Sequence, residues 1–281
     1  MSRPTISGPG RAAALPVPAG RPLASLYAGN VRAVVARGLK ATWASNWAVM
    51  ASGFVEPVLY LVAMGIGLGS LIGTVEGPGG EQIGYAGYIA PALLAVSAMN
   101  GALYDSTWNV FFKLNYARLY EGMLCTSLGP LDVALGEILL ALLRGALYAT
   151  GFTAVMGAMG LIATPWALLM IPAAVLVAFG FASIGMGLTS FMKTFQQMDW
   201  ITFFMLPMFL FSATFYPLGV YPEPVQWLIQ AMPLWHGVEL LRQLNAGLFT
   251  AATGVHVLYY LVMILLGLLL TTGRLRKLFL T

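Results

Sequence analysis

The longest stretch of this chain without a charged side chain runs from residue 145 to residue 192 and covers 48 positions. A helix needs about 20 apolar residues to cross the hydrocarbon layer of a membrane. The stretch is therefore long enough for two spans. Thr164-Pro165 marks the break between them, because proline ends helices and favours turns.

Composition extends this constraint to the whole chain. Charged residues make up only 9% of the sequence and hydrophobic residues 59%, whereas a soluble domain carries about 25% charged residues. So few charges cannot cover a soluble globule of 281 residues. The chain is expected to be an all-α integral membrane protein with room for about six spans.

Apolar windows between charges place the six transmembrane helices. They are expected at about 46–71, 86–109, 132–160, 166–191, 199–217 and 250–273. These spans belong to one transmembrane domain, residues 23–281. Residues 1–22 are rich in proline, glycine and arginine and are expected to form a disordered tail.

The basic residues predict the orientation. Six spans put both termini on one side, and twelve of the fourteen Lys and Arg residues fall in segments of that side. The opposite loops hold only Arg242, and Arg144 lies inside a span. Because Lys and Arg stay on the cytoplasmic side, both termini are expected in the cytoplasm.

Two further segments are apolar without forming a regular span. Leu23–Lys40 has apolar residues at helical spacing, which is typical of an interfacial helix; packing against a partner protein is the alternative. Residues 218–242 mix apolar residues with prolines and charges. We expect two short re-entrant or interfacial helices there, broken at Pro233, as an outer cap. Its candidate functional residues are Trp227, Trp235, His236, Glu239 and Arg242.

Glu56, Glu137 and Arg144 are charged residues well inside expected spans. A charge at the centre of a membrane helix costs a few kcal/mol, so such residues normally pair or face water. One hypothesis is a polar lining for a substrate path. The other is a structural pair, either Glu56–Arg144 or Glu137–Arg144, that fixes helix packing.

Aromatic residues suggest ligand contacts. Phe204, Phe211 and Phe215 share one face of the expected fifth span, and Tyr60 lies on the first. Trp43, Trp47 and Trp200 lie at span ends, as interfacial anchors do. Gly65 and Gly69 have the spacing that allows close helix packing.

The segment Lys113–Asp132 is the most patterned cytoplasmic segment and predicts a docking element, with a solvated loop as the alternative. Its candidate contact residues are Tyr116, Arg118, Tyr120, Glu121 and Thr126. The chain contains no GxxxxGK[ST] motif, so a P-loop for ATP is excluded. With one cysteine, Cys125, and two histidines, neither an internal disulfide nor a structural zinc site is expected.

Several short motifs, in order, resemble the ABC-2 type permeases, the membrane subunits of bacterial ATP-driven exporters. The resemblance covers about residues 30–280 and is greatest to the nodulation-factor and daunorubicin-resistance branch. It rests on Phe54-Val55-Glu56-Pro57, Gly65/Gly67/Gly69, Asn115-Tyr116, Met123–Leu128, Phe211–Leu218, Pro224–Trp227, Met232–Gly237 and Arg242. Ala213-Thr214 and Trp235 depart from the family pattern.

The resemblance implies a transport subunit of the bacterial inner membrane that is not itself an enzyme. Two permeases, identical or sibling, would form the membrane core, with two separate ATP-binding subunits beneath. Leu114–Ser127 would be the coupling helix, and ATP and Mg would bind the partner, with no cofactor on this chain. A groove near spans one, two and five, including Glu56 and Tyr60, would carry lipid-linked oligosaccharides or hydrophobic drugs.

Two other classes stay open. An ion-coupled secondary transporter would need several membrane carboxylates and often has an internal repeat, and none is visible. A membrane-embedded lipid-modifying enzyme would need a polar catalytic cluster. His236 with Glu239 is the nearest candidate, without a nucleophile.

Overall fold

The computed structural model describes residues 27–44 and 47–279, with side chains described over 27–41 and 55–277. The predicted tail, residues 1–22, and the start of the predicted interfacial helix lie outside these ranges. The described helices are α1 Val31–Ala44, α2 Trp47–Val62, α3 Gly69–Ile72, α4 Tyr85–Tyr104, α5 Leu119–Leu124, α6 Pro130–Ala158, α7 Met170–Thr189, α8 Phe195–Leu210, α9 Glu223–Ala231, α10 Pro233–Ala246 and α11 Ala251–Phe279.

The expected helical membrane architecture is confirmed at the level of its long helices. Five helical segments of the described chain are long and apolar enough to cross a membrane: Val55–Ile72, Tyr85–Tyr116, Pro130–Ala158, Pro165–Thr189 and Ala251–Lys277. α8 has 16 residues, fewer than the roughly 20 of a typical span. It ends at Leu210, before the predicted end of the fifth span at residue 217.

Wide π-helical turns interrupt two of the long helices. One, Ala63–Leu68, joins α2 to α3. Two more, Asp105–Asn109 and Phe112–Tyr116, extend α4. π-Helical turns are rare and occur frequently at functional sites.

α4 and α7 form the centre of the bundle, and small residues let their neighbours approach closely. A Cβ added at Gly267 of α11 would lie 2.6 Å from the backbone carbon of Ser183 on α7. At Gly180 it would lie 2.6 Å from the ring of Tyr260. Gly65 meets Ala86 of α4 in the same way, at 3.1 Å. These are the close contacts that small residues permit between membrane helices.

α1 lies against α6 near the start of that helix. The carboxylate of Asp132 accepts hydrogen bonds from the backbone N–H groups of Ala28 at 2.8 Å, Asn30 at 3.1 Å and Gly129 at 2.9 Å. Asp132 therefore caps α6 and anchors the entry to α1 at once. Val34 is 1% exposed, and it packs over Gly136, where an added Cβ would lie 2.5 Å from the Val34 Cβ.

The opposite end of the bundle carries a short hairpin and the last two short helices. Thr74–Glu76 pairs antiparallel with Gln82–Gly84, with Val75 opposite Ile83. α9 and α10 meet at Met232, whose extended backbone separates them. α10 buries Leu234, Val238 and Leu241 against the bundle, so its place is fixed by packing.

Replacing Gly136 by Ala should loosen the contact between α1 and α6. The new methyl group overlaps Val34, and overpacking of this kind costs about 1–3 kcal/mol. We expect a lower midpoint of thermal unfolding in detergent, partly restored by the additional change Val34→Ala. Gly87→Ala is the control, since no atom lies within 4 Å of a Cβ there. An unchanged midpoint for Gly136→Ala would contradict the described packing.

Candidate functional site

The main groove lies between α2, α4 and α8. It consists of two adjoining cavities of about 310 and 430 Å³ that share Glu56, Pro57, Asn100, Thr202 and Met205 in their linings. The smaller cavity continues along apolar side chains: Tyr60, Leu93, Val96, Leu206 and Phe209. The larger continues along polar ones, among them Ser97, Asp105, Thr107, Arg144 and Tyr148. The larger cavity therefore adds an ion pair and hydroxyl groups to a groove whose surface is mainly apolar.

Glu56 and Tyr60 line this groove. Both side chains are exposed in the single chain, Tyr60 by 39%. The Tyr60 ring meets that of Phe209 edge to face, with ring centroids 6.2 Å apart. The two residues are one helical turn apart on α2, so they project into the same groove.

The shared face expected for Phe204, Phe211 and Phe215 is wrong. α8 ends at Leu210, and Ala213 takes a left-handed backbone with φ of 54°, so the last two phenylalanines do not continue the helix. Phe204 is 65% exposed beside Phe203, Phe211 lies near Tyr221, and Phe215 packs on Phe209. Phe209 lines the groove instead.

Both ion pairs that the sequence suggested for Arg144 are wrong. Arg144 Nη1 donates to Oδ1 of Asp105 at 2.6 Å. Glu137 accepts from Arg37 at 3.2 Å and from Lys113 at 2.6 Å. Glu137 and Arg144 are seven residues apart, about 10 Å along one helix, which is too far for a direct bond.

Asp105 is the residue that sequence reasoning missed. It is the first charged residue after the charge-free window 82–104 and falls near the end of the expected second span, 86–109. The helix continues to Tyr116, so Asp105 is 8% exposed inside the bundle. A buried carboxylate without a partner is costly. Asp105 and Arg144 both lie in apolar segments, so the sequence could have suggested that they form an ion pair.

The predicted coupling segment is interrupted. Arg118 has a left-handed backbone with φ of 45° and separates the turn ending at Tyr116 from the six-residue helix α5. Tyr116 is 60% exposed, and Arg118, Glu121 and Thr126 are also exposed. Tyr120 is 1% exposed, so its side chain does not belong to this exposed surface.

Among the candidate residues of the outer cap, Arg242 makes the most hydrogen bonds within the described part of the chain. Its Nη2 donates to the carbonyl oxygens of Ala213 at 2.7 Å and Thr214 at 3.1 Å, and its Nε to that of Tyr88 at 3.3 Å. Nη1 donates to Glu239, three residues earlier on α10, at 3.0 Å. The guanidinium also lies 3.7 Å above the centre of the Tyr88 ring.

His236 bonds to another histidine. Its Nδ1 lies 2.8 Å from Nδ1 of His256 on α11, and the Tyr259 ring stacks on it at 4.0 Å. Burial and His256 lower the pKa of His236 to about 4, so the ring is neutral at pH 7. Trp235 lies against both imidazoles, whereas Trp227 on α9 is 77% exposed.

The groove is lined by ionic, hydrogen-bonding, aromatic and aliphatic side chains. Within the described ranges no three His, Cys, Asp or Glu side chains come together as metal ligands. The groove offers an ion pair, amide and hydroxyl groups at one end and aromatic and aliphatic side chains at the other. It suits an elongated molecule with one polar and one apolar part.

Removing one partner of the Asp105–Arg144 pair should destabilise the chain more than removing both. Arg144→Met leaves the Asp105 carboxylate without its partner, at a cost of about 3–5 kcal/mol for a buried pair. We expect Arg144→Met to lower the thermal midpoint strongly and Asp105→Asn/Arg144→Met to recover part of the loss. Exposed Lys193 gives the control Lys193→Met. Equal midpoints for all four proteins would contradict an energetic coupling between the two side chains.

The fold and the motifs of this chain are those of a known family. The sequence profile of the family described as ABC-2 type transporter matches residues 29–246. This range contains α1 to α10, hence the groove, the coupling segment and the outer cap.

Curated relatives match the sequence of this chain over most of their length. Nodulation protein J of Sinorhizobium fredii is 29% identical over 246 residues, which cover 84% of this chain and 92% of that protein. Nodulation protein J of Rhizobium leguminosarum bv. viciae is 28% identical over 248 residues, covering 84% and 93%. The resemblance drawn from the motifs is thus confirmed: the chain belongs to the ABC-2 type transporter family.

Proposed function

We propose that this chain is the permease subunit of an ATP-driven exporter for an amphipathic substrate. Such a substrate would be a lipid-linked or lipid-modified oligosaccharide or a hydrophobic drug, taken from the cytoplasm or the inner leaflet. The observation that carries the proposal is the groove between α2, α4 and α8, which has aromatic and aliphatic side chains around Tyr60 and Phe209 and an ion pair at Arg144. Each part of the substrate would meet side chains of its own polarity.

The exposed position of Glu56 supports a second permease beside this one. Its carboxylate lies on the same side of α2 as Leu59 and Tyr60, which are 61% and 39% exposed. A carboxylate facing lipid at this depth is costly. A partner permease, identical or a sibling, would enclose the groove and leave Glu56 in a polar path. Trp200, Phe203 and Phe204 of α8, each more than 60% exposed, would contribute to the same interface.

Energy would come from a separate chain, because this one carries no nucleotide motif. Members of the ABC-2 type family work with a separate ATP-binding subunit. We infer two copies that bind ATP and Mg and dock on the segment from Tyr116 to Thr126. The exposed residues Tyr116, Arg118, Glu121 and Thr126 support this docking.

We also infer six spans with both termini in the cytoplasm of a bacterium and the chain in its inner membrane. α8 would serve as the fifth span despite its 16 residues, since residues after Leu210 complete the crossing in irregular backbone. Such backbone survives at membrane depth only where protein satisfies its polar groups. The bonds from Arg242 to the carbonyls of Ala213 and Thr214 meet that condition.

Reversing the charge of Glu121 should weaken docking of the ATP-binding subunit. Glu121→Lys changes an exposed side chain of α5, so folding and membrane insertion should stay normal. In membranes that contain both subunits, we expect several-fold less ATPase subunit to co-purify with the tagged variant, and export to fall with it. Glu223→Lys, the same reversal on the exposed start of α9, should leave co-purification unchanged. Normal docking and export in Glu121→Lys would contradict the assignment of this surface.

The outer cap should lie within the lipid. Trp227 is 77% exposed on the protein surface, so slow labelling of a cysteine there can only come from the membrane or a partner. With Cys125→Ser as background, we expect Trp227→Cys to react slowly with an impermeant thiol reagent added outside. Gln82→Cys, on the exposed hairpin, should react fast. Fast reaction at both positions would mean that α9 lies in water, and reaction only from the cytoplasmic side would overturn the orientation.

A further inference from the structure

The chain has two histidines, His236 and His256, and they meet in the fold although they lie 20 residues apart in sequence. Their Nδ1 atoms are 2.8 Å from each other, which is a hydrogen-bond distance. His236 is 9% exposed and His256 4%. The contact joins α10, in the outer cap, to the beginning of α11.

His256 is the side chain that fastens the beginning of α11. Among residues 251–259 it is the one that the structure buries, and the next buried residue is Tyr260, whose hydroxyl bonds to the start of α10. One further hydrogen bond, from the hydroxyl of Thr253 to the amide oxygen of Gln243 at 2.6 Å, ties this part of α11 to α10. The position of the first two turns therefore depends largely on the histidine contact.

A hydrogen bond between two imidazole nitrogens limits the number of protons that the pair can hold. One nitrogen must donate and the other must accept, so at least one Nδ1 must be unprotonated. One added proton leaves a charged ring inside the protein, where burial disfavours it. A second added proton places two N–H groups face to face. Protonation therefore opposes the contact.

The surroundings do not compensate a charged imidazole. Glu239 of α10 acts electrostatically on His256, but its carboxylate is already paired with Arg242 at 3.0 Å. α7, which packs against both helices, carries no charged side chain. Apart from exposed Glu223 of α9, the other titratable groups at this end of the packed helices are phenols, which are neutral at pH 7: Tyr85, Tyr88, Tyr259 and Tyr260.

The pKa of His236 indicates the pH range in which the contact weakens. Burial first and His256 second lower this pKa from 6.5 to about 4, against the effect of a hydrogen bond to the backbone of Gln230. A ring released into water regains a pKa of about 6.5. The closed contact is therefore fully favoured above that pH. Its equilibrium with the released form shifts toward release by up to about tenfold for each unit that the pH falls from about 6.5 to about 4.

We propose that the His236–His256 contact is an acid-sensitive latch, which releases the first two turns of α11 from α10 when its imidazoles are protonated. Release is local, because Tyr260 still holds the rest of α11 and Arg242 still holds α10. In the orientation proposed above, the latch lies toward the outer side of the membrane and responds to acid there. The latch itself depends on the histidine contact and not on the proposed export function.

Release is measured as a distance on the purified full chain in neutral detergent, with Cys125→Ser as background. Nitroxide labels are attached at neutral pH to Val255→Cys, 58% exposed at the beginning of α11, and to Leu168→Cys, 67% exposed before α7. Pulsed EPR then gives the distance distribution from neutral pH down to a pH of about 4.5. Leu265→Cys, also 58% exposed but beyond Tyr260 on α11, replaces Val255→Cys in the control pair.

We expect a single distance at neutral pH and a second, broader component that grows as the pH falls below about 6.5, in the Val255 pair alone. His256→Gln should suppress this component, because an amide oxygen accepts a hydrogen bond from a protonated His236 and does not itself titrate. Since the chain has no third histidine, His236→Gln/His256→Gln removes every imidazole and should show no response to pH.

Three results would overturn the latch. The first is a single distance for the Val255 pair down to a pH of about 4.5. The second is the same response to pH in the double variant, since a carboxylate such as Glu239 would then be responsible. The third is an equal change in the Leu265 control pair, which would mean general loosening of the bundle. If the double variant does not fold, His256→Gln gives the same reading.

Discussion

The outer half of the molecule depends on the hydrogen bonds that the guanidinium of Arg242 makes. It joins α10, α4 and the irregular segment after α8 through the carbonyls of Tyr88, Ala213 and Thr214. It is 4% exposed, and its charge is balanced by Glu239 at 3.0 Å. No aliphatic side chain could satisfy those carbonyls, and carbonyls left unpaired at membrane depth cost several kcal/mol each. Arg242 therefore satisfies backbone carbonyls that lie beyond the end of α8 and ties the outer cap to α4.

Much of this fold could be predicted from hydropathy, because the membrane requires long apolar helices and leaves few alternatives. The break at Thr164-Pro165 and the two short helices around Pro233 coincide with prolines, and proline restricts the backbone wherever it occurs. The end of α8 could not be predicted in this way. The apolar sequence continues past Leu210 to Phe211 and Phe215, whereas the backbone turns at Ala213 and its carbonyl bonds to distant Arg242.

The candidate site could be predicted in its residue types and less well in its partners. Glu56 and Tyr60 face the groove because their spacing of four is a local property of a helix. The partners of Arg144 and Glu137 depend on which helices are neighbours and in which register, and a single sequence does not contain that information. Glu137 and Arg144 do share one face of α6, but residues two turns apart on one face bind different partners.

The π-helical turns of the α4 extension give a physical reason for this register. On α6, Glu137 and Arg144 are seven residues apart, so they lie about 20° from alignment along one face. Their partners Lys113 and Asp105 are eight residues apart on the facing segment. In a regular α-helix eight residues would turn Lys113 about 80° away from Asp105.

The wider π-helical turns at Asp105–Asn109 and Phe112–Tyr116 contain more residues per turn. Each residue therefore rotates the chain by a smaller angle, which removes much of the offset of about 80°. Both ionic contacts can then form along one strip between antiparallel helices. Periodicity arguments assume 3.6 residues per turn, so they misplace side chains in such a segment. The irregular geometry is what allows the ionic pairs to align, and those pairs connect the segment before α5 with the groove.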